Sequence, residues 1–356
     1  MTYEQYSSRR LAVSGALAER GCDAVLVTAP VNVRYLTGFT GSNGAVLLTR
    51  DSVSLATDGR YDEQAQRETG LTPTITRALL RTLVTDARTS GARSLAIERD
   101  HVTLAHFEAI ADAAEGELTL TPCAGLVENE RMRKDETELG CLRRAAAIAD
   151  AAFTAVKQTV SPGMTERELA DALEEAMRRG GADAPAFATI VAAGVNGAEP
   201  HHQPTSYALA LGDLVTVDMG ARVDGYHSDM TRTFAVGPVD DWQRELYGLV
   251  DAAQRAGCAA VVAGAGTAEV DAAARAVIEN AGHGEHFVHG VGHGVGLQIH
   301  ESPMLFGASE VVLADGMVVT VEPGIYVPGR GGIRIEDTLI VSADAPEVIT
   351  RAARGL

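Results

Sequence analysis

Basic residues are scarce in this chain: 30 lysines and arginines stand against 48 acids over 356 residues, a formal net charge of −18. Such a field repels phosphate backbones and anionic lipid, which argues against nucleic-acid or membrane-surface binding. Cysteine is scarce too. Cys22, Cys123, Cys141 and Cys258 are scattered without CxxC spacing, so neither a disulfide framework nor a thiolate zinc site is expected. Four small apolar side chains in a reducing compartment is the simpler reading. No run of about 18 apolar residues occurs, and the opening MTYEQYSSRRLAV has no apolar core suited to a signal peptide. A cytoplasmic location is therefore the expectation. What is present is a globular composition, 46% hydrophobic and 22% charged, in a chain too long for one typical core. Two domains are expected.

The first third alternates helix and strand signals. Arg9 to Arg20 reads as a helix, as do residues 103–114 (TLAHFEAIADAA), while DAVLVTA (23–29), AVLLT (45–49), SVSLAT (52–57), SLAIE (94–98) and LTLT (118–121) are short β-rich runs. Interleaved signals of this kind predict a small α/β domain. Near residue 125 the composition shifts. ENERMRKDETELG reads as a charged, polar bridge, and from Leu139 the apolar residues recur in steps of three and four, predicting an amphipathic helix. The domains are accordingly 1–128 and 129–356. A second helix opens with the capping box Thr165-x-x-Glu168 and stops at Gly180-Gly181. Two more are expected at about 241–263 and 267–281, the latter capped by Thr267. The remaining pieces of this half are strand-like, so helices covering a largely antiparallel sheet are expected.

One strand carries a charge where none belongs. LVTVDMG (214–220) begins as a buried strand and then presents Asp218, a costly residue in a sheet interior unless something pairs with it. The pattern recurs: GDLVTVDMG (212–220) and GMVVTVEPG (316–324) share an opening Gly, an apolar run with Val-Thr-Val, an acid, any residue and a closing Gly. Alternation puts Asp218 on one face with Leu214 and Thr216, and Glu322 on one face with Val318 and Thr320. Each acid is followed by a turn and a second strand with a further acid, Asp229 eleven residues after Asp218 and Glu336 fourteen after Glu322. The duplication predicts a pseudo-symmetric domain whose halves meet at an acidic site. Four inward carboxylates cannot all ionise without positive charge between them, so protonation, arginine or lysine pairing, or metal ions must intervene.

Five of the ten histidines lie within residues 283–300, in HGEHFVHGVGHGVGLQIHE. His289 and His293 are four apart, but Gly290, Gly292, Gly294 and Gly296 surround them, which no stable helix would choose. Gly290 also occupies the place of the glutamate that a helical zinc-protease motif requires. GVGHGVG lacks the order of a dinucleotide-binding loop. The glycines fit instead a closely packed strand or loop beside a site. One histidine with four carboxylates makes an oxygen-rich set suited to a pair of Mn²⁺, Co²⁺, Fe²⁺ or Zn²⁺ ions.

VDMG, SDMTRTF, HGVGHGVGLQIHE, VEPGIY and RIED, in this order and spacing, resemble the pita-bread metallopeptidases, among them aminopeptidase P, prolidase, methionine aminopeptidase and the metal-free creatinase. NVRYLTGFTGSNGAVLL (32–48) and ATDGRYDEQA (56–65) resemble the N-terminal domain of the proline peptidases, so the likeness spans nearly the whole chain. It implies a creatinase/prolidase-type α/β domain followed by an α+β pita-bread domain, a pseudo-two-fold antiparallel sheet covered by helices. It implies two metal ions, Mn²⁺ first among the four candidates, held by Asp218, Asp229, His293, Glu322 and Glu336, with Asp229 and Glu336 bridging. His300 is implied to stabilise the substrate carbonyl or tetrahedral intermediate. His289 and His201 match further active-site histidines, with His202 the adjacent alternative. Arg334 is read as sharing the Glu336 face of its strand and matches a site arginine, either touching substrate or neutralising the acids; Tyr326 is implied to border the site beside it. His227, His283 and His286 are read as structural, and Ser206 lacks a nucleophile-elbow context.

The activity implied is a two-metal exopeptidase cleaving the bond before proline in short peptides, of the aminopeptidase P kind, with a strict Xaa-Pro dipeptidase as the alternative. The tilt rests on ESPML, where Met304 stands in the neighbourhood in which the dipeptidases tend to carry an arginine for the substrate carboxylate. A non-catalytic pita-bread module that binds peptide or protein is the alternative of another class, opposed by the full ligand set. The resemblance also implies a homodimer.

Overall fold

The computed structural model describes residues 3–356, and the chain divides into two compact units, Met1–Arg131 and Met132–Leu356. In the first, a six-stranded mixed sheet runs in the order Thr74–Ile75, Val53–Thr57, Gly44–Thr49, Ala24–Val27, Ser94–Glu98, Thr119–Cys123. Ala24–Val27 is buried at every position, as a central strand covered on both faces must be. It pairs antiparallel with Gly44–Thr49 and parallel with Ser94–Glu98. The helix over residues 103–114 forms as Leu104–Ala114, with Thr103 accepting from the His106 amide as its cap. The first helix starts earlier than its periodicity predicts and covers Tyr3–Glu19. Helices Pro30–Thr37, Asp62–Thr69 and Leu79–Thr89 had no counterpart in the sequence reading. The first is opened by its proline and ended by Gly38 at φ 83°, a stop that local pattern alone did not announce.

The second unit is built twice. One half is an antiparallel sheet of Ile190–Ala193, Leu214–Met219 and Met230–Ala235, whose buried face meets Phe153, Leu169, Leu173 and Met177 from helices Glu136–Lys157 and Glu166–Arg179. The other is a five-stranded antiparallel sheet centred on Val318–Val321 and Asp337–Ile340, buried beneath Leu246, Val250, Val270 and Ile278 of helices Asp241–Ala260 and Thr267–Asn280. The repeated Val-Thr-Val strands are thus the central strands of two equivalent layers. The halves are stitched together where the acids lie: the Glu336 amide donates to Thr231 O (3.1 Å), and Thr338 Oγ1 donates to Asp229 O (2.7 Å).

Several local expectations are corrected. The polar bridge is largely ordered helix: Glu128–Met132 is helical, and Asp135 caps Glu136–Lys157 in a capping box with Glu138. Thr267 is the first residue of its helix, not the cap; Gly266 holds that place, while the Thr267 hydroxyl bonds Ser309 Oγ and Val311 O. Asp229 and Glu336 lie one residue before their strands rather than within them. Arg334 and Glu336 do not share a strand, because the chain changes partners between them. Gly331–Arg334 pairs with Gly324–Val327, whereas Asp337–Ile340 pairs with Val318–Val321.

Candidate metal centre and active site

The backbone around His293 explains its glycine-rich setting. Gly292–Gly294 is pressed between the Val318–Val321 and Glu301–Leu305 strands. A Cβ at Gly292 would lie 2.0 Å from Thr320 O, and one at Gly294 would lie 2.4 Å from Ser302 O. Only glycine permits that approach. His293 is held there by its amide donating to Thr320 Oγ1 (3.1 Å) and by Nδ1 donating to Gly294 O (3.0 Å). That bond assigns the proton to Nδ1 and leaves the Nε2 lone pair facing the acids. Nε2 lies 3.5 Å from Asp229 Oδ2 and 3.4 Å from Glu322 Oε1.

Asp229, His293 and Glu336 each bring one donor atom to within 4.8 Å of the others, and all three are buried. Glu322 joins through His293. Asp218 joins from the opposite half through Arg334, whose guanidinium donates to Asp218 Oδ2 at 2.8 Å and lies 3.9 Å from Glu322 Oε2. The five residues expected to act together are brought together. Two carboxylate oxygens, Asp218 Oδ1 and Glu336 Oε1, are buried without a hydrogen-bond partner, an arrangement native proteins avoid unless something else satisfies it.

Electrostatics point the same way. Burial, then the Glu336, Asp218 and Glu322 charges, push the Asp229 carboxyl well above the usual carboxylate range. Burial with Glu322 and Asp218 does the same to Glu336, and burial pushes Glu322 up to about 8 against the pull of Arg334. Burial lowers His293 to about 4, keeping its imidazole neutral at ordinary pH. Four acids facing one guanidinium and a neutral nitrogen are short of positive charge. The donor set, oxygen-rich with one imidazole and two unpartnered oxygens, fits divalent cations of the Mn²⁺ to Zn²⁺ group.

Asp218, Asp229 and Glu322 line a cavity of about 500 Å³. His201 and His300 are exposed on its wall, and the His300 ring meets His293 edge-on at 4.4 Å between centroids. His289 also borders the cavity, but its ring is engaged: Nδ1 donates to Gly290 O (2.7 Å), and Nε2 accepts from the Tyr326 hydroxyl (2.9 Å). Tyr326 accepts in turn from Arg334 Nη1 (2.9 Å) and does not line the cavity. Arg334, 3% exposed, also donates to Thr231 Oγ1 and Pro200 O. Its donors are directed at the protein's own groups, the neutralising arrangement of the two considered. His202 turns inward to Glu166 and Glu199. His227 bonds Gly296 O, and His283 packs against His286. Phe187, Ile190, Ile299, Met304, Leu305 and Phe306 make the apolar side of the cavity, and among the described residues Arg334 is the lone arginine or lysine lining it.

Two residues with a part in this geometry were missed in the sequence. Thr231 donates to Glu336 Oε2 (2.8 Å) and accepts from Arg334, and Glu166 anchors the segment that carries His201. Thr231 lies in SDMTRTF two residues past Asp229, where period-two alternation places it on the same face. Glu166 reads as an ordinary first-turn acid and gives no such signal.

Among the described residues, no helix is long and apolar enough to cross a membrane. A family profile described as metallopeptidase family M24 matches residues 140–343, and one described as the creatinase/prolidase N-terminal domain matches residues 9–133. The chain is 40% identical over 341 residues to YqhT, an uncharacterised peptidase of Bacillus subtilis, covering 94% of this chain and 96% of that one. It superposes on a Bacillus anthracis Xaa-Pro dipeptidase with a TM-score of 0.94 at 39% identity, covering 99% of each chain. A Thermotoga maritima X-Pro aminopeptidase matches with a TM-score of 0.87 at 34% identity, covering 95% of this chain and 98% of that one.

Proposed function

This chain belongs to metallopeptidase family M24 with a creatinase/prolidase N-terminal domain, and we propose that it is a two-metal exopeptidase that hydrolyses the bond before proline at the N-terminus of short peptides. Asp218, Asp229, His293, Glu322 and Glu336 would hold the ions in this reading, Mn²⁺ foremost. The observation that carries it is the clustering of these donors, two of their oxygens unpartnered, beside a cavity with an apolar side. Divalent ions bound there would supply Lewis acidity toward the scissile carbonyl and lower the pKa of water.

The chain's own groups do the rest. The apolar wall receives the pyrrolidine ring and excludes water from it. His300 and His201, exposed on the cavity, donate to the carbonyl oxygen as negative charge develops. Glu322, whose carboxylate borders the cavity, is placed to take a proton at one oxygen and deliver it to the prolyl nitrogen as that nitrogen leaves. The ring of His289 is held by Tyr326 and Gly290, so it shapes the wall instead of transferring a proton. A homodimer belongs to the same proposal through family likeness, and light scattering tests it.

The choice between peptide lengths rests on Met304. A dipeptide presents its carboxylate directly after proline, and the one lining guanidinium is committed to Asp218. Tolerance of Xaa-Pro-Yaa substrates follows. The strict dipeptidase reading is favoured instead by the likeness to the Bacillus anthracis protein. Rates on Ala-Pro and Ala-Pro-Ala after Mn²⁺ loading separate the two. The tripeptide is expected to be cleaved at least as fast, and Met304→Arg to shift preference toward the dipeptide by about tenfold, one charge-assisted contact. A tenfold wild-type preference for the dipeptide would overturn the longer-peptide reading. A protein that binds less than one metal per chain and is inert on both would be a binding module.

A further inference from the structure

We infer that Glu166 and His202 are positioning residues that set His201 and the Pro200 carbonyl against the acidic centre. The inference rests on the exopeptidase reading only in treating His201 as a substrate-facing group. Glu166 is the first residue of the Glu166–Arg179 helix and is fully buried. Its carboxylate receives five hydrogen bonds, all from residues 193–205. Oε1 accepts from the Ala193 amide (2.8 Å) and Asn196 Nδ2 (3.0 Å). Oε2 accepts from the Thr205 amide (2.9 Å), Thr205 Oγ1 (2.7 Å) and His202 Nε2 (2.9 Å). One carboxylate therefore gathers the start, the middle and the end of a single loop.

The loop's other side is the cavity. His202 is 7% exposed and points toward Glu166, while its neighbour His201 is exposed and lines the cavity. Fixing the inward ring fixes where the outward one emerges. The second ring nitrogen of His202 lies 3.1 Å from Glu199 Oε2, so both nitrogens face carboxylates and the imidazolium satisfies both as donor. Two residues before His202, Pro200 O accepts from Arg334 Nη1 (3.1 Å), and the same guanidinium holds Asp218. The clamp thus reaches the cavity through the His201 side chain and the acidic centre through the Pro200–Arg334–Asp218 chain.

Merely closing a loop does not call for such a group. Burying a carboxylate costs several kcal/mol unless its hydrogen bonds are all made, and apolar packing fixes loops without that cost. What a five-fold acceptor adds is registry: the loop fits in one arrangement, since any shift breaks several bonds together. Registry matters where a side chain must meet a substrate atom, because displacements near 1 Å cost about 10²-fold in rate.

The test is a double-mutant cycle with an independent structural readout. His202→Ala is expected to lower kcat/KM on Ala-Pro-Ala by about 10- to 100-fold. In a His201→Ala background the same change should cost several-fold less, because one of the two groups it positions is gone and only the Pro200–Arg334 route remains. His202→Gln, which keeps a donor near the Nε2 position, should restore most of the rate. Amide hydrogen exchange should rise at Ala193 and Thr205 in Glu166→Gln and in His202→Ala, while Val217 and Val319 in the central strands stay protected. Equal losses in both backgrounds, or unchanged exchange at Ala193 and Thr205, would overturn the inference. A wild-type protein inert on every Xaa-Pro peptide would sink the functional reading, and the exchange data would then decide the clamp alone.

Discussion

Arg334→Met removes the one guanidinium among the clustered acids, and its cost follows from the contacts it breaks. Arg334 donates to Asp218 Oδ2 (2.8 Å), Tyr326 Oη (2.9 Å), Thr231 Oγ1 (3.1 Å) and Pro200 O (3.1 Å). Methionine fills much of the volume and supplies no donor. Asp218 then has neither oxygen partnered, since Oδ1 already lacks one. Breaking a buried pair by removing one partner costs about 3–5 kcal/mol. For a unit of this size each kcal/mol moves the melting temperature by about 2–4 °C, so the metal-stripped variant should melt about 6–20 °C below stripped wild type. Divalent ions offset the same negative charge, so the gap should shrink by half or more after Mn²⁺ loading. Arg334→Lys keeps the charge without the planar fork and should recover only part of the loss. Scanning calorimetry of both variants, stripped and loaded, reads all of this. A stripped Arg334→Met protein within about 1 kcal/mol of wild type would refute the view of Arg334 as the internal counter-charge.

Asp229→Ala should abolish metal loading, measured by elemental analysis, and with it turnover; the stripped variant should be at least as stable as stripped wild type because one of the repelling carboxylates is gone. Wild-type-like turnover would sink the two-metal reading. Stability of the stripped protein should fall with rising pH. Glu322 has a folded pKa raised to about 8, so its contribution is full below the ordinary value near 4.5 and is lost as pH climbs through 8, on the order of 5 kcal/mol in all. Urea midpoints between pH 5 and 8.5 that stay flat without metal would contradict this. Gly292→Ala should cost about 3 kcal/mol or more, or prevent soluble expression, because its Cβ meets backbone Thr320 O at 2.0 Å. Gly307→Ala, with nothing within 4 Å, serves as the near-neutral control in the same denaturation assay.

Residues whose burden is local were legible in the sequence. Ser94–Glu98 forms at the residues expected, and Thr165 with Glu168 makes the capping box its spacing announces. The duplicated Val-Thr-Val strands were legible because a charge at an inward strand position has no ordinary explanation. What escaped depends on partners far along the chain. Nothing near Arg334 or Glu336 signals that the backbone changes sheets between them, Arg334 pairing with Gly324 and Asp337, just after Glu336, with Val321. Lys134 and Glu301 form a buried ion pair at 2.9 Å across more than 160 residues, and each looks like a surface charge in its own context. Glu166 is the sharpest case. First-turn acids are usually exposed and favoured by the helix dipole, so its full burial becomes visible only with residues 193–205 in place.

The acids of the centre share a division of labour that explains how so much like charge is tolerated. Asp218 commits Oδ2 to Arg334 and leaves Oδ1 unpartnered; Glu336 commits Oε2 to Thr231 and leaves Oε1 unpartnered. Each carboxylate is thus oriented through one oxygen by a group from elsewhere in the fold, and the other oxygen is left without a hydrogen-bond partner. Thr320 does the same for the neighbouring pair, accepting from the His293 amide and donating toward Glu322 Oε1 at 3.4 Å. Orientation is therefore established by neutral hydroxyls and a single guanidinium, at the expense of folded-state stability in the absence of cations. A centre held by arginines alone would be more stable empty and would bind divalent ions less well, because every added positive charge competes for the same oxygens. The sparing use of arginine beside four acids is what an ion-binding centre requires and what a structural salt-bridge network would not retain.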